Sequence, residues 1–364
     1  MSLFGKIFSN KKSSESKKGF HLLTVKAVNR LTPKSVQVVF DVPSDLKDVF
    51  QFIPGQYINV SIDLSDNENR RSYSICSAVN EDLSIAVKEV EGGLISNYIN
   101  DDLNVGDKIH VSEPMGNFQM TDAGKSYVAF AAGSGITPIL SMVKGVKLAD
   151  QGKVKLFYCN QTIAETMFKQ KLDELKEDRI DVHYFFTREE QAEQKSERFS
   201  EQSVSELIRK DLDVLKCDGF YICGPEPMIV EVSNALKAFG VPENKIHFEL
   251  FTAPELLKTE TENEEVEGDF SGTSKVTVII DGEETKFELE KDGDFILDEA
   301  EANGVDAPYS CRGGVCCTCK AKVIKGKAFM DNNMSLTDEE IKEGYILTCQ
   351  AHPNSKEIVV SYDE

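Results

Sequence analysis

The chain lacks three features that would mark a membrane, secreted or nucleic-acid-binding protein. It contains no apolar run of about eighteen residues or more, and its mean hydropathy is −0.30, so we expect no membrane span. No N-terminal apolar segment reads as a signal peptide, and we therefore expect a cytoplasmic protein whose nine cysteines are reduced or metal-bound. The net charge of −21 argues against binding to nucleic acid or to anionic membranes.

Four cysteines near the C-terminus follow the spacing C-x4-C-x2-C with a distant fourth thiol. They are Cys311, Cys316, Cys319 and Cys349. This is the ligand pattern of a plant-type [2Fe–2S] cluster, and Gly313 and Gly314 would let backbone N–H groups approach its sulfurs. Structural zinc is the alternative, but it usually takes paired knuckles, whereas only Cys316 and Cys319 form a C-x2-C pair here. Cys317 is surplus, and we expect it not to be a ligand.

The hydrophobic pattern divides the chain into several regions. Residues 1–19 are polar and basic and are predicted to be a disordered tail; a small docking patch at the tip is the alternative. Residues 20–123 contain short β-type runs at 21–28, 35–42, 57–62 and 84–90, broken by turn residues, which predict a small antiparallel barrel. In residues 124–252, strand candidates at 126–132, 154–160, 181–187 and 220–223 alternate with helical stretches, which predicts a parallel α/β domain.

The C-terminal part follows an acidic segment. Residues 253–273 carry seven Asp and Glu residues and few large apolar ones, so we expect an extended linker. In residues 274–364, two strand candidates flank Asp281-Gly282, a strong hairpin turn signal, and a helical stretch at 296–303 precedes the cysteine loop. The predicted fold class is therefore a multi-domain protein.

A one-electron cluster that is fed by a hydride carrier needs a converter, and flavin is the usual one. The best flavin candidate is the string Arg71-Ser72-Tyr73-Ser74, in a predicted strand after Pro54-Gly55-Gln56-Tyr57. Arg71 could pair with a flavin phosphate, Tyr73 could pack on the ring, and Ser74 could hydrogen-bond the reactive edge of the ring. An ordinary exposed strand would have a similar composition.

Three glycine-containing segments follow. Residues 92–97 open a predicted helix, where free N–H groups favour a pyrophosphate, although a turn with an N-cap fits equally. Residues 133–138, Gly-Ser-Gly-Ile-Thr-Pro, follow an apolar strand and suit a dinucleotide phosphate; Pro138 stands where the third glycine of G-x-G-x-x-G would be. Cys223-Gly224-Pro225 ends a later strand, the end at which parallel sheets present ligand-contacting groups.

In this order, the motifs at 71–74, 93–96, 133–138 and 223–225 and the four cysteines resemble the ferredoxin–NADP reductase superfamily fused to a plant-type ferredoxin. The resemblance covers residues 20–364. It implies a flavin-binding antiparallel β-barrel, a nicotinamide-binding α/β domain with a parallel sheet, and an α+β ferredoxin domain of the β-grasp type.

The resemblance also implies roles for individual residues. It implies that FAD is held by Arg71, Tyr73, Ser74, Gly93, Leu94 and Ser96, with Phe251 stacked on the flavin. Val87 and Lys88 are further cofactor-binding residues that it does not assign to either cofactor. NAD(P)H would be held by Gly133, Ser134, Gly135, Thr137, Pro138, Thr187, Arg188, Cys223, Gly224 and Pro225. Ser74, Cys223 and Glu249 would be the catalytic residues, and the cluster would take the four cysteines named above.

Two cofactor choices remain open. Thr187-Arg188 resembles the Ser-Arg pair that grips a 2′-phosphate in NADP-linked relatives, while Gln161 stands where many relatives carry arginine. We predict NADPH, with NADH and a solvent-facing Arg188 as the alternative. Reductases of the phthalate dioxygenase type share the domain order but use FMN; the pyrophosphate signature at 92–96 favours FAD.

The resemblance implies an electron relay from NADPH through FAD and the cluster to the oxygenase component of a multi-subunit system, acting on an aromatic acyl-CoA or related substrate. A different di-iron or Rieske oxygenase, or a separate electron carrier, could take its place. The alternative from another class is a metal-stabilised binding module without turnover. We expect no nucleic-acid partner.

Overall fold

The computed structural model describes residues 17–64, 67–189, 198–256 and 270–364. The predicted tail therefore lies outside the described residues up to residue 16. At the start of the described part, the Lys17 ammonium donates to Ser61 and Asp63, which fixes the chain just before the first strand. No helix in the described ranges is long and apolar enough to cross a membrane.

The first domain is an antiparallel barrel with one helix, as predicted. Its elements are β1 (Phe20–Thr32), β2 (Ser35–Asp41), β3 (Tyr57–Leu64), β4 (Asn67–Ser74), β5 (Ser84–Lys88), α1 (Leu94–Asp101) and β6 (Lys108–Ser112). The strand order is β4-β3-β6-β1-β2-β5, and an Ile75–Ile85 bridge joins the two ends of this sheet. Alternating residues such as Val36, Val38 and Phe40 point inward and fill the barrel.

The second domain has the predicted parallel sheet. Its elements are β7 (Ser126–Ala132), α2 (Ile136–Ala149), β8 (Lys153–Asn160), α3 (Lys169–Leu175), β9 (Ile180–Phe186), α4 (Glu201–Lys210), β10 (Gly219–Cys223), α5 (Glu226–Ala238) and β11 (Ile246–Glu249). The strand order is β11-β10-β7-β8-β9, with all pairs parallel. The chain first adds strands outward from β7 to β9, then returns to the other side of β7 to add β10 and β11. At such a switch point, a crevice opens beyond the carboxyl ends of the strands.

The third domain is a mixed sheet. Its elements are β12 (Thr273–Ile280), β13 (Glu283–Glu290), α6 (Ile296–Ala302), β14 (Lys320–Lys325), β15 (Ala328–Met330), α7 (Asp338–Lys342), β16 (Tyr345–Leu347), β17 (Ala351–Pro353) and β18 (Glu357–Ser361). The main sheet has the order β13-β12-β18-β14-β16, in which β12 and β18 are parallel. The predicted hairpin turn is present, with positive φ angles of 54° at Asp281 and 74° at Gly282, as a type I′ turn requires.

The predicted acidic linker is described only at its two ends. Residues 257–269 lie outside the described residues. Before them, the Glu226 carboxylate accepts the backbone N–H groups of Glu255 and Leu256, at 2.8 Å and 2.7 Å. After them, Thr273, which the sequence assigns to the linker, is the first residue of β12 and pairs with Glu290. The chain is thus fastened to the second domain beyond its last strand.

Candidate functional site

Three strand ends bring Ser74, Cys223 and Glu249 together. Cys223 and Glu249 are the last residues of β10 and β11 and are register partners in that parallel pair. Ser74 ends β4 of the barrel, and its hydroxyl donates to a carboxylate oxygen of Glu249 at 2.9 Å. The hydrogen bond joins the first two domains at the switch point of the parallel sheet, where the fold opens its crevice.

Burial controls the charge of this group of residues. It raises the pKa of the Glu249 carboxyl to about 8, although the hydrogen bond from Ser74 acts in the opposite direction. Burial, and then the nearby Glu249 carboxylate, raises the pKa of the Cys223 thiol well above its ordinary value. At neutral pH both groups therefore carry their protons, so the crevice has hydrogen-bonding groups but no fixed charge at this point.

Arg70 and Arg71 lie side by side in β4 and point in different directions, because side chains alternate along a strand. Arg71, in the predicted flavin strand, is exposed, and one of its side-chain N–H groups donates to the Arg70 carbonyl at 2.7 Å. Arg70 is buried and binds Glu68 through two hydrogen bonds. Its guanidinium also lies 4.7 Å from the ring centroid of Tyr309 in the third domain. Arg71 is therefore free to meet an anion, whereas Arg70 holds the domain interface.

The N-terminus of α1 retains the features that suit a pyrophosphate. Gly93 is the N-cap, and no side chain caps the helix there. The Ser96 hydroxyl accepts the Val90 N–H at 3.2 Å, so it also closes the preceding turn. Leu94 is half exposed at the same end. The turn and the anion-binding interpretations of this segment are compatible, because the Ser96 hydroxyl closes the turn as an acceptor while the first-turn N–H groups are separate donors.

Lys88 stands between the first two domains. It ends β5, next to the buried Val87, and its ammonium lies 3.9 Å from the position that a Cβ atom on Gly133 would occupy. The space around Gly133 is otherwise open within 4 Å. A phosphate bound at this position would meet a cation and a backbone without a side chain.

The loop after β7 forms a short 3-10 turn over residues 133–135. Thr137 closes it by donating to the Ser134 carbonyl at 3.0 Å, and Pro138 lies in the first turn of α2, where a proline is tolerated. A Cβ atom on Gly135 would lie 2.1 Å from the Cys223 carbonyl oxygen. The glycine there is therefore demanded by the close approach of residues 223 and 224, a reason separate from the ligand approach that the sequence suggested.

Thr187 and Arg188 lie beside the loop after β8. The Thr187 N–H donates to the Asn160 carbonyl at 3.0 Å, and the Arg188 N–H donates to the Gln161 carbonyl at 2.8 Å. The Arg188 side chain is exposed. The two segments that bear on the choice between NADPH and NADH are thus brought together at the carboxyl edge of the sheet.

Phe251, just beyond β11, keeps 44% of its surface exposed beside the crevice.

The four predicted cluster ligands converge in the third domain. Three lie on the irregular loop before β14, and Cys349 lies in a 3-10 turn after β16 rather than in a strand. The sulfur of Cys311 lies near those of Cys316 and Cys349, and the sulfur of Cys349 also lies near that of Cys319. The surplus Cys317 turns away, and its sulfur lies 3.3 Å from the Ser335 carbonyl oxygen.

Backbone amides support this arrangement. The Gly313 N–H donates to the Cys311 sulfur at 3.4 Å, and the Gly314 N–H lies near the Cys349 sulfur. Gly314 has a φ of 74°, and a Cβ atom there would lie 2.7 Å from the Asn332 carbonyl oxygen, so only glycine fits. Within the described residues, no three His, Cys, Asp or Glu side chains are placed so that they could hold a single metal ion. A [2Fe–2S] cluster instead takes four thiolates, and the four sulfurs gathered here fit that donor set.

The cluster loop docks on the flavin-side barrel, a contact that the sequence did not reveal. The Cys317 N–H donates to the Tyr57 hydroxyl at 3.0 Å, and the Asn59 amide donates to the Thr318 hydroxyl at 3.0 Å. Ser72 and Ser310 share a hydrogen bond of 2.8 Å. The sequence contains one sign of this contact, the polar Asn59 between the apolar residues of β3. A fully buried side-chain amide needs a hydrogen-bond partner.

The fold and this geometry define a class of protein, an oxidoreductase with flavin, nicotinamide and iron–sulfur domains. Family models match each part: an oxidoreductase FAD-binding domain at residues 22–120, an oxidoreductase NAD-binding domain at 130–234, and a 2Fe-2S iron-sulfur cluster binding domain at 278–354. The predicted cofactor classes and three-part architecture are thereby confirmed.

Whole-length relatives refine the class. The chain is 36% identical over 354 residues to a 1,2-phenylacetyl-CoA epoxidase subunit of Escherichia coli, covering 94% of this chain and 98% of the relative. It is 30% identical to the 3-ketosteroid-9-alpha-monooxygenase ferredoxin reductase component of Rhodococcus rhodochrous, covering 94% and 96%. A solved phthalate dioxygenase reductase matches with a TM-score of 0.57 and 26% identity, over 94% and 98%. The chain belongs to this family of ferredoxin reductase-type proteins.

Proposed function

We propose that the chain is the reductase component of a phenylacetyl-CoA epoxidase type of oxygenase, oxidising NADPH and delivering single electrons to the oxygenase subunits. The observation that carries this proposal is the similarity to the Escherichia coli epoxidase subunit, which extends through all three domains and nearly the full length of both chains. A shared domain alone would support only a flavoprotein. Similarity that includes the electron-exporting third domain supports a shared kind of acceptor.

The crevice between the first two domains is the proposed place of hydride transfer. When bound, FAD accepts the hydride, and the [2Fe–2S] cluster carries the electrons singly. Ser74 and the protonated Glu249 would orient the reactive edge by hydrogen bonds, while the neutral Cys223 thiol would pack beside the nicotinamide without adding charge. Phe251 would cover the flavin side of the crevice.

The phosphate-binding assignments rest on the same geometry. Arg71 and the N-terminus of α1 would hold the FAD pyrophosphate, and this preference for a dinucleotide is why FAD is proposed over FMN. Lys88, Gly133 and Ser134 would meet the nicotinamide dinucleotide. Arg188 would bind the 2′-phosphate of NADPH from the exposed edge after β9.

The docked arrangement of the third domain supports electron transfer within one molecule. The cluster loop contacts β3 and β4 on both sides of its ligands, at residues 310, 317 and 318. One of the contacting barrel residues, Ser72, stands between Arg71 and Tyr73 in the proposed flavin-binding strand. The electron donor and acceptor sites are therefore held by neighbouring residues.

The test is reconstitution of electron transfer to a defined acceptor. The full-length protein is mixed anaerobically with NADPH in a stopped-flow instrument, then combined with purified phenylacetyl-CoA epoxidase subunits in air. We expect flavin and cluster bleaching, then oxygen uptake matched by epoxide formed from phenylacetyl-CoA. Bleaching without coupled product would reject the proposed acceptor while leaving the reductase activity intact.

A second acceptor is a steroid-type monooxygenase. It is favoured by the 30% identity over nearly full length to the ketosteroid monooxygenase reductase of Rhodococcus rhodochrous. The same assay separates the two, because each oxygenase reports a different product under one set of conditions. Product only from the ketosteroid oxygenase would assign the chain to that system.

A further inference from the structure

A chain of hydrogen bonds runs from the barrel into the sulfur of a predicted cluster ligand. The Ser72 hydroxyl donates to the side-chain oxygen Oδ1 of Asn59 at 2.7 Å, and the side-chain nitrogen Nδ2 of Asn59 donates to the Thr318 hydroxyl at 3.0 Å. The Thr318 oxygen lies 3.3 Å from the Cys316 sulfur. Asn59 is fully buried. A residue of the first domain therefore reaches the cluster through one side chain of the third.

The proton positions along this chain follow from the partners. The Asn59 nitrogen faces both the Thr318 oxygen and the Met115 thioether sulfur, at 3.5 Å, and a thioether cannot donate, so the donor end of the amide belongs on this side. The Thr318 oxygen then accepts and keeps its own proton for another partner. That proton can go to the Met115 sulfur at 3.6 Å or to the Cys316 sulfur.

The Cys316 sulfur is the stronger acceptor when it binds iron. A thiolate ligand has no proton and carries negative charge, and hydrogen bonds to charged acceptors are stronger than those to a neutral thioether. The amide of Asn59 occupies the other side of the hydroxyl oxygen and thereby directs the Thr318 O–H toward Cys316. Hydrogen bonds to the sulfurs are among the factors that set the potential of an iron–sulfur cluster, because they favour the more negative, reduced state.

We propose that Asn59 is a positioning residue that raises the reduction potential of the cluster, acting through Thr318 while the first and third domains are docked. The inference rests on the proposed function in that Cys316 ligates a cluster that receives electrons at this interface. The contact belongs to the docked arrangement, so it favours electron arrival there and is lost if the domains separate. The flavin domain thus helps to set the electron affinity of its own acceptor.

The experiment is a potentiometric titration of the full-length holoprotein, with the reduced cluster followed by electron paramagnetic resonance. It needs neither NADPH nor an oxygenase. Thr318→Val removes the hydroxyl with little change in shape, and we expect a lower potential by about 59 mV, which is about tenfold in the one-electron equilibrium. Asn59→Leu should lower it in the same direction by less, and Thr318→Ser should keep the original value.

A double-variant cycle identifies the route of the effect. If Asn59 acts through Thr318, then Asn59→Leu should cause no further shift in the Thr318→Val background. Asn117→Ala is the matched control, because Asn117 donates across the same interface to Ser335 and Glu340 without contacting Thr318; its potential should equal that of the parent. An unchanged potential in Asn59→Leu, or an equal shift in both backgrounds, would overturn the inference.

A second variant protects the test from misfolding. If Asn59→Leu loses its flavin or its far-ultraviolet circular dichroism, Ser72→Ala replaces it, because Ser72 holds the other end of the Asn59 amide. A small fall in potential is expected, and no change would reject the proposal. The inference and the proposed function can be rejected independently. Shifted potentials in a protein that does not reduce the oxygenase would reject only the proposed acceptor. Unchanged potentials in a protein that couples normally to the oxygenase would reject only the role of Asn59.

Discussion

The crevice between the first two domains and the cluster loop of the third are built on different plans. Ser74 and Glu249 lie 175 residues apart, and each ends a strand whose position is set by the register of a sheet. Three of the four predicted cluster cysteines instead lie within residues 311–319, on a loop shaped by backbone amides and by contact with the barrel. The first arrangement is held by sheet register and a hydrogen bond between strand ends, whereas the second is held by loop hydrogen bonds and by docking on the barrel. Single substitutions should therefore impair flavin reduction in the crevice or electron transfer through the cluster loop, but not both.

The largest expected effect is loss of the cluster alone. Cys316→Ser removes one thiolate ligand, so we expect protein without iron–sulfur absorption and without electron export, yet with NADPH-dependent flavin reduction largely unchanged. Iron analysis and stopped-flow absorbance measure the two halves separately. The matched control is Cys317→Ser, one residue away, which should keep the cluster because its sulfur faces Ser335. Loss of flavin reduction in a folded Cys316→Ser protein would break the comparison.

The next effect concerns pH and belongs to the crevice. Burial raises the pKa of Glu249 to about 8 from its ordinary value of 4.5, so the folded state holds this proton more tightly than the unfolded state does. The contribution of this carboxyl to the free energy of unfolding has its full value below the unfolded pKa of 4.5. It falls as the pH rises from 4.5 to about 8, because the unfolded state then loses a proton that the folded state still holds. Over that window we expect the parent to lose up to a few kcal/mol that Glu249→Gln does not lose.

Thermal unfolding of both proteins across this pH range measures the difference. Glu243→Gln is a suitable control, because Glu243 is exposed near the start of β11 and pairs with Lys237 at the surface. Its profile should follow that of the parent. Parallel profiles for Glu249→Gln and the parent would mean that the carboxyl is ionised in the crevice.

A smaller effect is expected at the nucleotide edge. Arg188→Ala should raise the KM for NADPH by about tenfold, because a charge-assisted bond to the 2′-phosphate is lost, and should leave the KM for NADH nearly unchanged. Steady-state kinetics with an artificial electron acceptor measures this without involving the cluster. Lys210→Ala, an exposed cation on α4, serves as control. Equal changes for both nucleotides would favour NADH as the natural donor.

The smallest effect tests the contact between the two halves. Tyr57→Phe removes the hydroxyl that accepts the Cys317 N–H, and we expect electron transfer from flavin to cluster to slow by about fivefold, the equivalent of one neutral hydrogen bond. The cluster content and the flavin reduction rate should stay as in the parent. Rapid-mixing absorbance at separate flavin and cluster wavelengths resolves the step, and an unchanged rate would show that docking is independent of this bond.

Local patterns were sufficient to predict much of the fold. Strand β7 matches its predicted bounds, the Asp281-Gly282 turn has the expected φ angles, and the cysteine spacing identified a group of sulfurs that do converge. These features depend on neighbours in sequence, where hydrophobic period and turn chemistry act directly. Family resemblance assigned Ser74 and Glu249 to one site, but their hydrogen bond was not predicted, since the pattern of either strand contains no trace of the other.

The interface between the barrel and the cluster loop was not predicted. Its hydrogen bonds join residues separated by 259 and 260 positions, Asn59 with Thr318 and Tyr57 with Cys317. Arg70 illustrates the same limit, because the sequence drew attention to Arg71, while its neighbour packs on Tyr309. Such contacts follow from how three finished domains fit together, which depends on surface shape and charge rather than on any local periodicity.

Tyr57 connects the crevice between the first two domains with the cluster loop of the third domain. Its backbone pairs with Ser74 in the β3–β4 ladder, and its ring hydroxyl bonds the amide next to Cys316. A route from β4 through Tyr57 to the ligand loop crosses the β3–β4 pairing, the Tyr57 side chain and its hydrogen bond to the Cys317 N–H. That last hydrogen bond joins the first domain to the third, so separation of the two domains would break it. A single tyrosine therefore belongs both to the wall of the crevice and to the docking contact of the ligand loop.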